Sequence, residues 1–449
     1  MPPVTAPGEP AAASSPEDYV PIPVAELELA SEQPAPRPNA LGQIAVLVRL
    51  HGVPLGALSL MQRDGSADRD LRAHATRVLR EPLLQHLQRD GLTLTAEGAV
   101  PSTTSCALVH PGSARQVSVV ICTLGEDPRL VQTVRSVLAQ THENLELLVV
   151  DNRPASGRVR AMLADVDDPR LRILAQPRPG LSAARNAGAA AAHGSVVAFT
   201  DDDAFADAGW VHELTRPFDE HPDVVCTTGL VLPAEIVTPA QAWFEEFGAF
   251  DKGFARTVWT TAERPDLAAL GRRGEGGVLF PYSAGVYGSG NNMAFRSSWL
   301  QTSGLFDEAL GAGTIARGGE DLDAFLTVML GGGVLVYDPR AIVKHYARSD
   351  MAALQKQMYG YGSGMAAVVV KHFVASPRRA VGIAARLPAG LRRLLDPRSE
   401  KNAAKSTAYP PELARSELSG YAAGPVLYLR SRRQAARRRR SHPDAAPGS

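Results

Sequence analysis

From residue 117 onward, short apolar runs with little alternation recur at 117–121, 146–151, 171–174, 195–200, 224–231 and 334–337. Runs of this kind suit strands that are covered on both faces. Between the first two, Leu130, Val134, Val137 and Leu138 fall on one face of a helix. Strand, helix and strand in short repeats imply a parallel sheet with crossover helices, and in open sheets of this type ligands bind beyond the carboxyl ends of the strands.

One run ends in an electrostatic problem. Residues 195–203 read Ser-Val-Val-Ala-Phe-Thr-Asp-Asp-Asp, so Asp201, Asp202 and Asp203 fall at the carboxyl edge of the expected sheet. At an effective dielectric near 20, like charges about 4 Å apart repel by about 4 kcal/mol. Either the three form a solvated turn, which Asp favours for local reasons, or they meet a divalent cation or a strong donor network. Mg²⁺ or Mn²⁺ carrying a substrate phosphate meets that need.

Lys plus Arg and Asp plus Glu each number 47 in 449 residues, and this zero net charge speaks against a bulk nucleic-acid binder; no nucleic-acid partner is expected. Cys106, Cys122 and Cys226 are odd in number and lack Cys-x-x-Cys spacing, which suggests neither a disulfide framework nor a zinc knuckle and points to a reducing compartment. The first residues lack the basic and apolar regions of a signal peptide, and no apolar stretch reaches the roughly 18 to 20 residues that span a bilayer. A soluble or peripheral, cytoplasmic protein is expected.

Four units are expected along the chain. Residues 1–40, rich in Pro and Ala, suit a disordered lead. Residues 41–110 read as a small α+β module, with strand, turn and strand over 43–60 and then a helical stripe of Leu71, Ala75, Val78, Leu79, Leu83 and Leu87 that Pro82 would kink. No pattern in this module suggests chemistry. Residues 115–350 hold the strand-and-helix repeats. Residues 351–449 form a helical, basic extension: Leu354, Met358, Tyr361, Met365, Val369 and Phe373 share a stripe that Gly360, Gly362 and Gly364 weaken, so it depends on packing or on a membrane surface. Past Phe373, basic residues outnumber acidic ones by roughly three to one, and Arg430, Arg432, Arg433 and residues 437–440 make a tail that reads as a solvated, disordered charge run or as a binding segment.

Five pieces, in order, carry a resemblance. They are Val117-Ser118-Val119-Val120-Ile121-Cys122-Thr123, Leu147-Leu148-Val149-Val150-Asp151-Asn152, Gly180-Leu181-Ser182-Ala183-Ala184-Arg185-Asn186-Ala187-Gly188, Thr200 to Asp203, and Gly319-Glu320-Asp321-Leu322-Asp323. Together they resemble the family 2 glycosyltransferases of the GT-A fold over residues 115–350. The resemblance implies an α/β, Rossmann-like, mostly parallel sheet with helices on both faces, beside the N-terminal module and the C-terminal extension. It also implies an inverting, metal-dependent, single-displacement transfer from a nucleoside-diphosphate sugar to a hydroxyl acceptor.

Roles follow residue by residue. Asp151 is assigned to base recognition, with a helix or turn cap as its alternative. Ser182 reads as a helix N-cap, which puts Arg185 and Asn186 in the first turn, where a cation opposes the helix dipole unless an anion such as a diphosphate neutralises it. Thr123, Asp151, Arg185, Asn186 and Asp202 therefore form the expected donor site. Asp201 and Asp203 resemble the family's metal-binding Asp-x-Asp, and His345 occupies a place where related enzymes sometimes carry a third ligand, or else is a satisfied core histidine. Glu320 and Asp321 resemble the catalytic box: Asp321 becomes the general base for the acceptor hydroxyl, although a carboxylate at a helix start also serves as a cap. Residues 288–296 resemble the acceptor-side strand, and Gly304-Leu305-Phe306-Asp307-Glu308 resembles the approach to the catalytic box. Trp243, Phe244, Phe247 and Phe250 suit a helix that packs its aromatics.

Other classes fit less well. Gly311-x-Gly313-x-x-Ala316 neither follows a strand nor opens a βαβ unit, which disfavours a dinucleotide cofactor. A nucleotidyltransferase would carry a glycine-rich loop with Arg after its first strand, where this chain has Thr123-Leu124-Gly125-Glu126. A catalytically inactive nucleotide-sugar-binding scaffold would have no need of both acidic boxes. The glycine-interrupted stripe, followed by Arg378, Arg379, Arg386, Arg392 and Arg393, suggests contact with an anionic membrane at the inner face of the plasma membrane, and hence a lipid-linked or cell-envelope glycan acceptor.

Overall fold

The computed structural model of the chain describes residues 19–60, 71–95, 99–103, 106–108, 113–304, 306–403 and 405–441. Residues 1–18 of the expected lead, Leu305, and the end of the tail from residue 442 lie outside the described residues.

The N-terminal module is a three-stranded sheet of β1 (Val24–Glu28), β2 (Ile44–Leu50) and β3 (Val53–Leu60), with β1 parallel and β3 antiparallel to the central β2. Strand β1 lies inside the stretch expected to be disordered. It is held because Leu27 and Leu29 are buried in the module core, which offsets the ordering cost of a Pro-rich segment. Helices α1 (Leu71–Val78) and α2 (Arg80–Arg89) replace the single kinked helix. The break falls at Val78 because the ring of Pro82 excludes the carbonyl four residues earlier.

The main sheet is built from β4 (Val117–Thr123), β5 (Leu145–Asp151), β6 (Leu171–Ala175), β7 (Val196–Asp201), β8 (Ala204–Ala206), β9 (Val224–Pro233), β10 (Thr257–Trp259), β11 (Arg272–Arg273), β12 (Met293–Arg296) and β13 (Val334–His345). Their order is β11-β10-β13-β9-β12-β7-β4-β5-β6, with β8 paired to the end of β13. The β7-β4-β5-β6 half is all parallel, as the repeats predict. In the other half β13 runs parallel to β9 and β11 to β10, while β12 runs antiparallel to both β7 and β9, and β13 antiparallel to β10 and β8, so five of the nine pairings are parallel and antiparallel strands interrupt the expected mostly parallel sheet. Sequence periodicity reports burial, not direction, and cannot distinguish the two. Strand β13 also runs past Tyr337 through Pro339, because an irregularity between Asp338 and Ile342 absorbs the missing N–H.

Helices cover both faces. Val117, Val119 and Ile121 pack with Leu130 and Val134 of α3 (Leu130–Leu138) and with Trp210 and Leu214 of α6 (Trp210–Glu220). Val120 turns the other way, onto Ala184 of α5 (Leu181–Ala191) and the cluster around Phe325 of α9 (Glu320–Leu330). Short helices α4 (Arg158–Met162) and α8 (Ser297–Ser303) complete the connections, and α7 (Pro239–Phe247) starts with a capping box between Thr238 and Gln241. As expected, Phe244 is buried and the α7 aromatics pack, here against Leu354 and Met358.

The extension comprises α10 (Met351–Ala375), α11 (Pro377–Leu395), α12 (Glu400–Ala403) and α13 (Pro411–Ser441). Packing, not a membrane, explains the glycines of α10. A Cβ on Gly362 would lie 2.1 Å from the Glu417 carbonyl, and one on Gly420 would lie 2.2 Å from the Tyr359 carbonyl, so α10 and α13 meet backbone to backbone. The basic tail is helical through Ser441, and Arg438 donates to the carbonyls of Pro179 (3.1 Å) and Gly313 (3.3 Å). No helix among the described residues is long and apolar enough to cross a membrane.

Candidate active site

Register places the first three site residues. Thr123 pairs with Asp151 and Cys122 with Asp201, so Thr123, Asp151 and Asp201 stand side by side at the carboxyl ends of β4, β5 and β7. Thr123 Oγ1 donates to Asp202 Oδ2 at 2.5 Å and accepts from the Gly125 N–H at 2.9 Å. Asp151 is buried, and its Oδ1 accepts from the Arg153 N–H at 2.9 Å, so one oxygen serves as a turn cap. Burial pushes the Asp202 carboxyl up to about 7, against the hydrogen bond from Thr123.

His345 reaches the aspartates through a pairing that sequence distance hides. Strand β8 follows Asp203 directly and pairs with the end of β13, with Ala204 opposite His345. His345 Nε2 therefore lies 3.4 Å from Asp203 Oδ1, and Arg348 Nη1 lies 3.7 Å from Asp203 Oδ2. Burial, with Asp201 second, pushes Asp203 up to about 7. Burial pushes His345 down to about 4, so its imidazole is neutral and able to act as a ligand at neutral pH.

Glu320 and Asp321 arrive on the N-terminus of α9, after Gly319 turns the chain with a φ of 90°. Asp321 Oδ2 accepts from the Gly290 N–H at 2.9 Å and Oδ1 from the Leu322 N–H at 2.8 Å, which fixes the carboxylate beside the strand-loop that leads into β12. Glu320 is buried, and its carboxyl is pushed up to about 7 by burial and then by Asp321, against the opposing charge of Arg185.

Arg185 corrects the expectation drawn from the helix dipole. Helix α5 starts at Leu181 with Gly180 as its cap, and Ser182 Oγ donates instead to the Leu310 carbonyl at 2.8 Å. Arg185 is buried, and its Nη1 lies 2.9 Å from Glu320 Oε1 while Nη2 lies 3.3 Å from Asp201 Oδ1 and donates to the Gly290 carbonyl at 3.0 Å. Carboxylates, rather than an incoming diphosphate, neutralise this cation. It ties Asp201 of the aspartate cluster to Glu320.

Asn186 also leaves the expected donor site. Its side chain donates to the Phe306 carbonyl at 2.9 Å and accepts from the Phe306 N–H at 2.8 Å, so the buried amide is spent on holding the segment at Phe306. Two residues that fall in the resembling stretches without an assigned role take positions of interest. Asn152 accepts from the Gly180 N–H and donates to the Gln176 and Arg178 carbonyls, which shapes the entry to α5. Asn291, next to Gly290, is buried with neither side-chain polar atom bonded among the described residues. Such an amide costs about 1–3 kcal/mol unless a ligand or water meets it. An Asn-Asn pair in an acceptor-like strand was the only sequence signal for it.

The donor set fits a hard divalent ion. Asp201 and Asp203 offer oxygens and His345 a neutral nitrogen, and the carboxyls of Asp202, Asp203 and Glu320 are raised to about 7 by burial first and by neighbouring carboxylates after it.

The family comparison agrees with this geometry. The sequence profile of glycosyl transferase family 2 matches residues 118–274. A glucosyl-dolichyl phosphate glucuronosyltransferase of Haloferax volcanii is 37% identical over 147 residues, 31% of this chain and 47% of that protein. A pre-mycofactocin glycosyltransferase of Mycobacterium tuberculosis is 27% identical over 265 residues, 58% of this chain and 49% of that protein. The chain thus spans about half the length of each of these relatives, at 47% and 49%. A mannosyltransferase from Pyrobaculum calidifontis, solved with GDP-Man and Mn²⁺, overlays 74% of this chain and 83% of its own at 17% identity and a TM-score of 0.43. The profile match is seated on the strands that carry Thr123, Asp151 and Asp201 to Asp203, so residues 118–274 are similar to glycosyl transferase family 2.

Proposed function

We propose that this protein transfers a sugar from a nucleoside-diphosphate sugar to a hydroxyl acceptor by an inverting single displacement that needs Mg²⁺ or Mn²⁺. The observation that carries the proposal is the junction through Arg185, which holds the Asp201 end of the aspartate cluster and the Glu320–Asp321 pair around one sheet edge. Asp151 meets the base and the Thr123–Asp202 pair the ribose. Asp201, Asp203 and His345 hold the metal, which when bound supplies electrostatic stabilisation of the leaving diphosphate.

Asp321 accepts the proton of the acceptor hydroxyl as that oxygen bonds to the anomeric carbon and the bond to the nucleoside diphosphate breaks. Its hydrogen bonds from the Gly290 and Leu322 N–H groups orient the carboxylate for this. Glu320 and Arg185 are positioning residues. Asn291 offers its amide to a hydroxyl of one of the two substrates.

The acceptor is proposed to be lipid-linked or part of a cell-envelope glycan, reached from the cytoplasmic face of an anionic membrane. Helix α11 supports this: Val381, Leu387, Leu391 and Leu395 are 71%, 54%, 48% and 61% exposed. At about 100° per residue they share an arc of about 120°, flanked by Arg378, Arg379, Arg386, Arg392 and Arg393. The relative from Haloferax volcanii, whose name records a dolichyl phosphate, is in keeping with such an acceptor.

The test is turnover of a panel of nucleotide sugars with Mn²⁺, Mg²⁺ or EDTA. Donor consumption that requires the metal and is lost in Asp321→Asn supports the proposal; equal turnover by Asp321→Asn refutes it. Flotation with anionic liposomes tests the membrane part: a Val381→Glu, Leu391→Glu chain that floats as well as the parent refutes it.

A further inference from the structure

The N-terminal module, which carries no motif in sequence, gathers four ligand-type side chains from three separate segments. His51 sits on the turn between β2 and β3 with a φ of 51°, His86 and Asp90 lie one helical turn apart at the end of α2, and Cys106 comes from the segment that leads toward β4. One ligand atom from each lies within 4.8 Å of all the others. His51 Nδ1 is 2.7 Å and His86 Nε2 is 3.1 Å from Asp90 Oδ2, His86 Nε2 is 3.2 Å from His51 Nδ1, and Cys106 Sγ is 3.4 Å from His86 Nε2.

The chemistry at this point is one-sided. His51 Nε2 lies 2.9 Å from the Pro101 carbonyl, an acceptor that requires this nitrogen to carry the proton. In neutral His51 the Nδ1 lone pair then faces a carboxylate oxygen, a second imidazole nitrogen and, beyond it, a sulfur. A bound cation satisfies all of these lone pairs at once. The four separations of 2.7–3.4 Å are close to the edges of about 3.3–3.8 Å of a tetrahedron with bonds of about 2.0–2.3 Å, so an ion enters once the ligand atoms spread by up to about 0.6 Å.

The surrounding hydrogen bonds are those that orient metal ligands. Asp90 Oδ1 accepts from the Ala107 N–H at 2.7 Å, and Cys106 Sγ accepts from the Leu108 N–H at 3.4 Å. The turn that carries His51 is pinned by Glu28, which accepts from the N–H groups of His51 (3.0 Å) and Gly52 (2.9 Å). The side chains of His51, His86 and Asp90 are 3%, 2% and 0% exposed, so the cluster is no solvated acidic patch.

We propose that His51, His86, Asp90 and Cys106 form a structural Zn²⁺ site, separate from the metal of the sugar-transfer site. Two imidazoles, a thiolate and one carboxylate oxygen suit tetrahedral Zn²⁺ and not the oxygen-rich coordination of Mg²⁺. All four positions are filled by protein, which marks a closed, structural site. The ion cross-links the hairpin, α2 and the segment toward β4, and so fixes a small module whose β2 packs Leu47 against Leu230 and Ile342 of the main sheet.

Elemental analysis of the full chain, purified under reducing conditions without chelator, tests this. About one zinc per chain is expected in the parent and in Asp203→Asn, falling at least tenfold in Cys106→Ser and in His86→Gln. After zinc removal, Co²⁺ alone should give the intense visible bands of a tetrahedral ion together with thiolate-to-cobalt charge transfer, a readout on the parent chain that holds even if a variant fails to fold. A parent chain that carries no zinc and takes up neither Zn²⁺ nor Co²⁺ in this geometry overturns the proposal. So does zinc content unchanged in both variants, or zinc lost in Asp203→Asn while both keep it.

Discussion

Replacing Asp203 by Asn should destroy metal binding and yet stabilise the metal-free protein. The carboxyl is 4% exposed and its value is raised from 3.8 to about 7 by burial and by Asp201. For an acid held higher in the folded state, folding favours the protonated form. Stability is therefore lost as pH rises from the unfolded value through the folded one, and the penalty is complete only above it. For a shift from 3.8 to about 7 the penalty is about 3 kcal/mol near pH 6 and about 4 kcal/mol near pH 8 as upper bounds. Relaxation and the shared charge of Asp201 and Asp202 reduce this, so Asp203→Asn should gain about 1–2 kcal/mol, or about 1–4 °C in Tm, in EDTA near pH 8. The gain should shrink by about a quarter toward pH 6, and Mn²⁺ should raise the Tm of the parent but not of the variant. Thermal melts followed by circular dichroism in a grid of pH and metal measure all of this. A variant that melts below the parent in EDTA near pH 8, or a gap that does not narrow toward pH 6, refutes the reasoning.

Other outcomes follow from the same geometry. Asp321→Asn should lower kcat by about 10²–10⁴ with little change in donor affinity, read from steady-state kinetics and donor titration. Arg185→Met leaves Glu320 and Asp201 without their shared cation and should cost about 3–5 kcal/mol in urea unfolding, partly recovered in the double variant with Glu320→Gln. Gly420→Ala places a Cβ about 2.2 Å from the Tyr359 carbonyl and should cost about 1–3 kcal/mol, with faster proteolysis of α13 than of the main sheet.

Much of the scaffold is legible in the residue pattern because burial on both faces of a strand leaves an unbroken apolar run. The strands that carry Thr123, Asp151 and Asp201 each end within two residues of where those runs end. Direction is not legible in the same way. The antiparallel β12 and the continuation of β13 past Pro339 depend on which neighbours are available for hydrogen bonding. The helix-dipole argument for Arg185 failed for a related reason, since two carboxylates distant in sequence supply the anion that a bound diphosphate was expected to supply.

The sequence by itself determined the alternating strand and helix order, the five family motifs and the acidic residues at the strand ends, because these depend on local pattern and spacing. Only the tertiary structure brought His345 to Asp203, joined Asp201 to Glu320 through Arg185, spent Asn186 on Phe306, and drew His51, His86, Asp90 and Cys106 to one point. Each of these depends on long-range pairing and burial: the same side chains dispersed in water would keep their ordinary charges and partners, and only a shared low-dielectric interior obliges them to find one another.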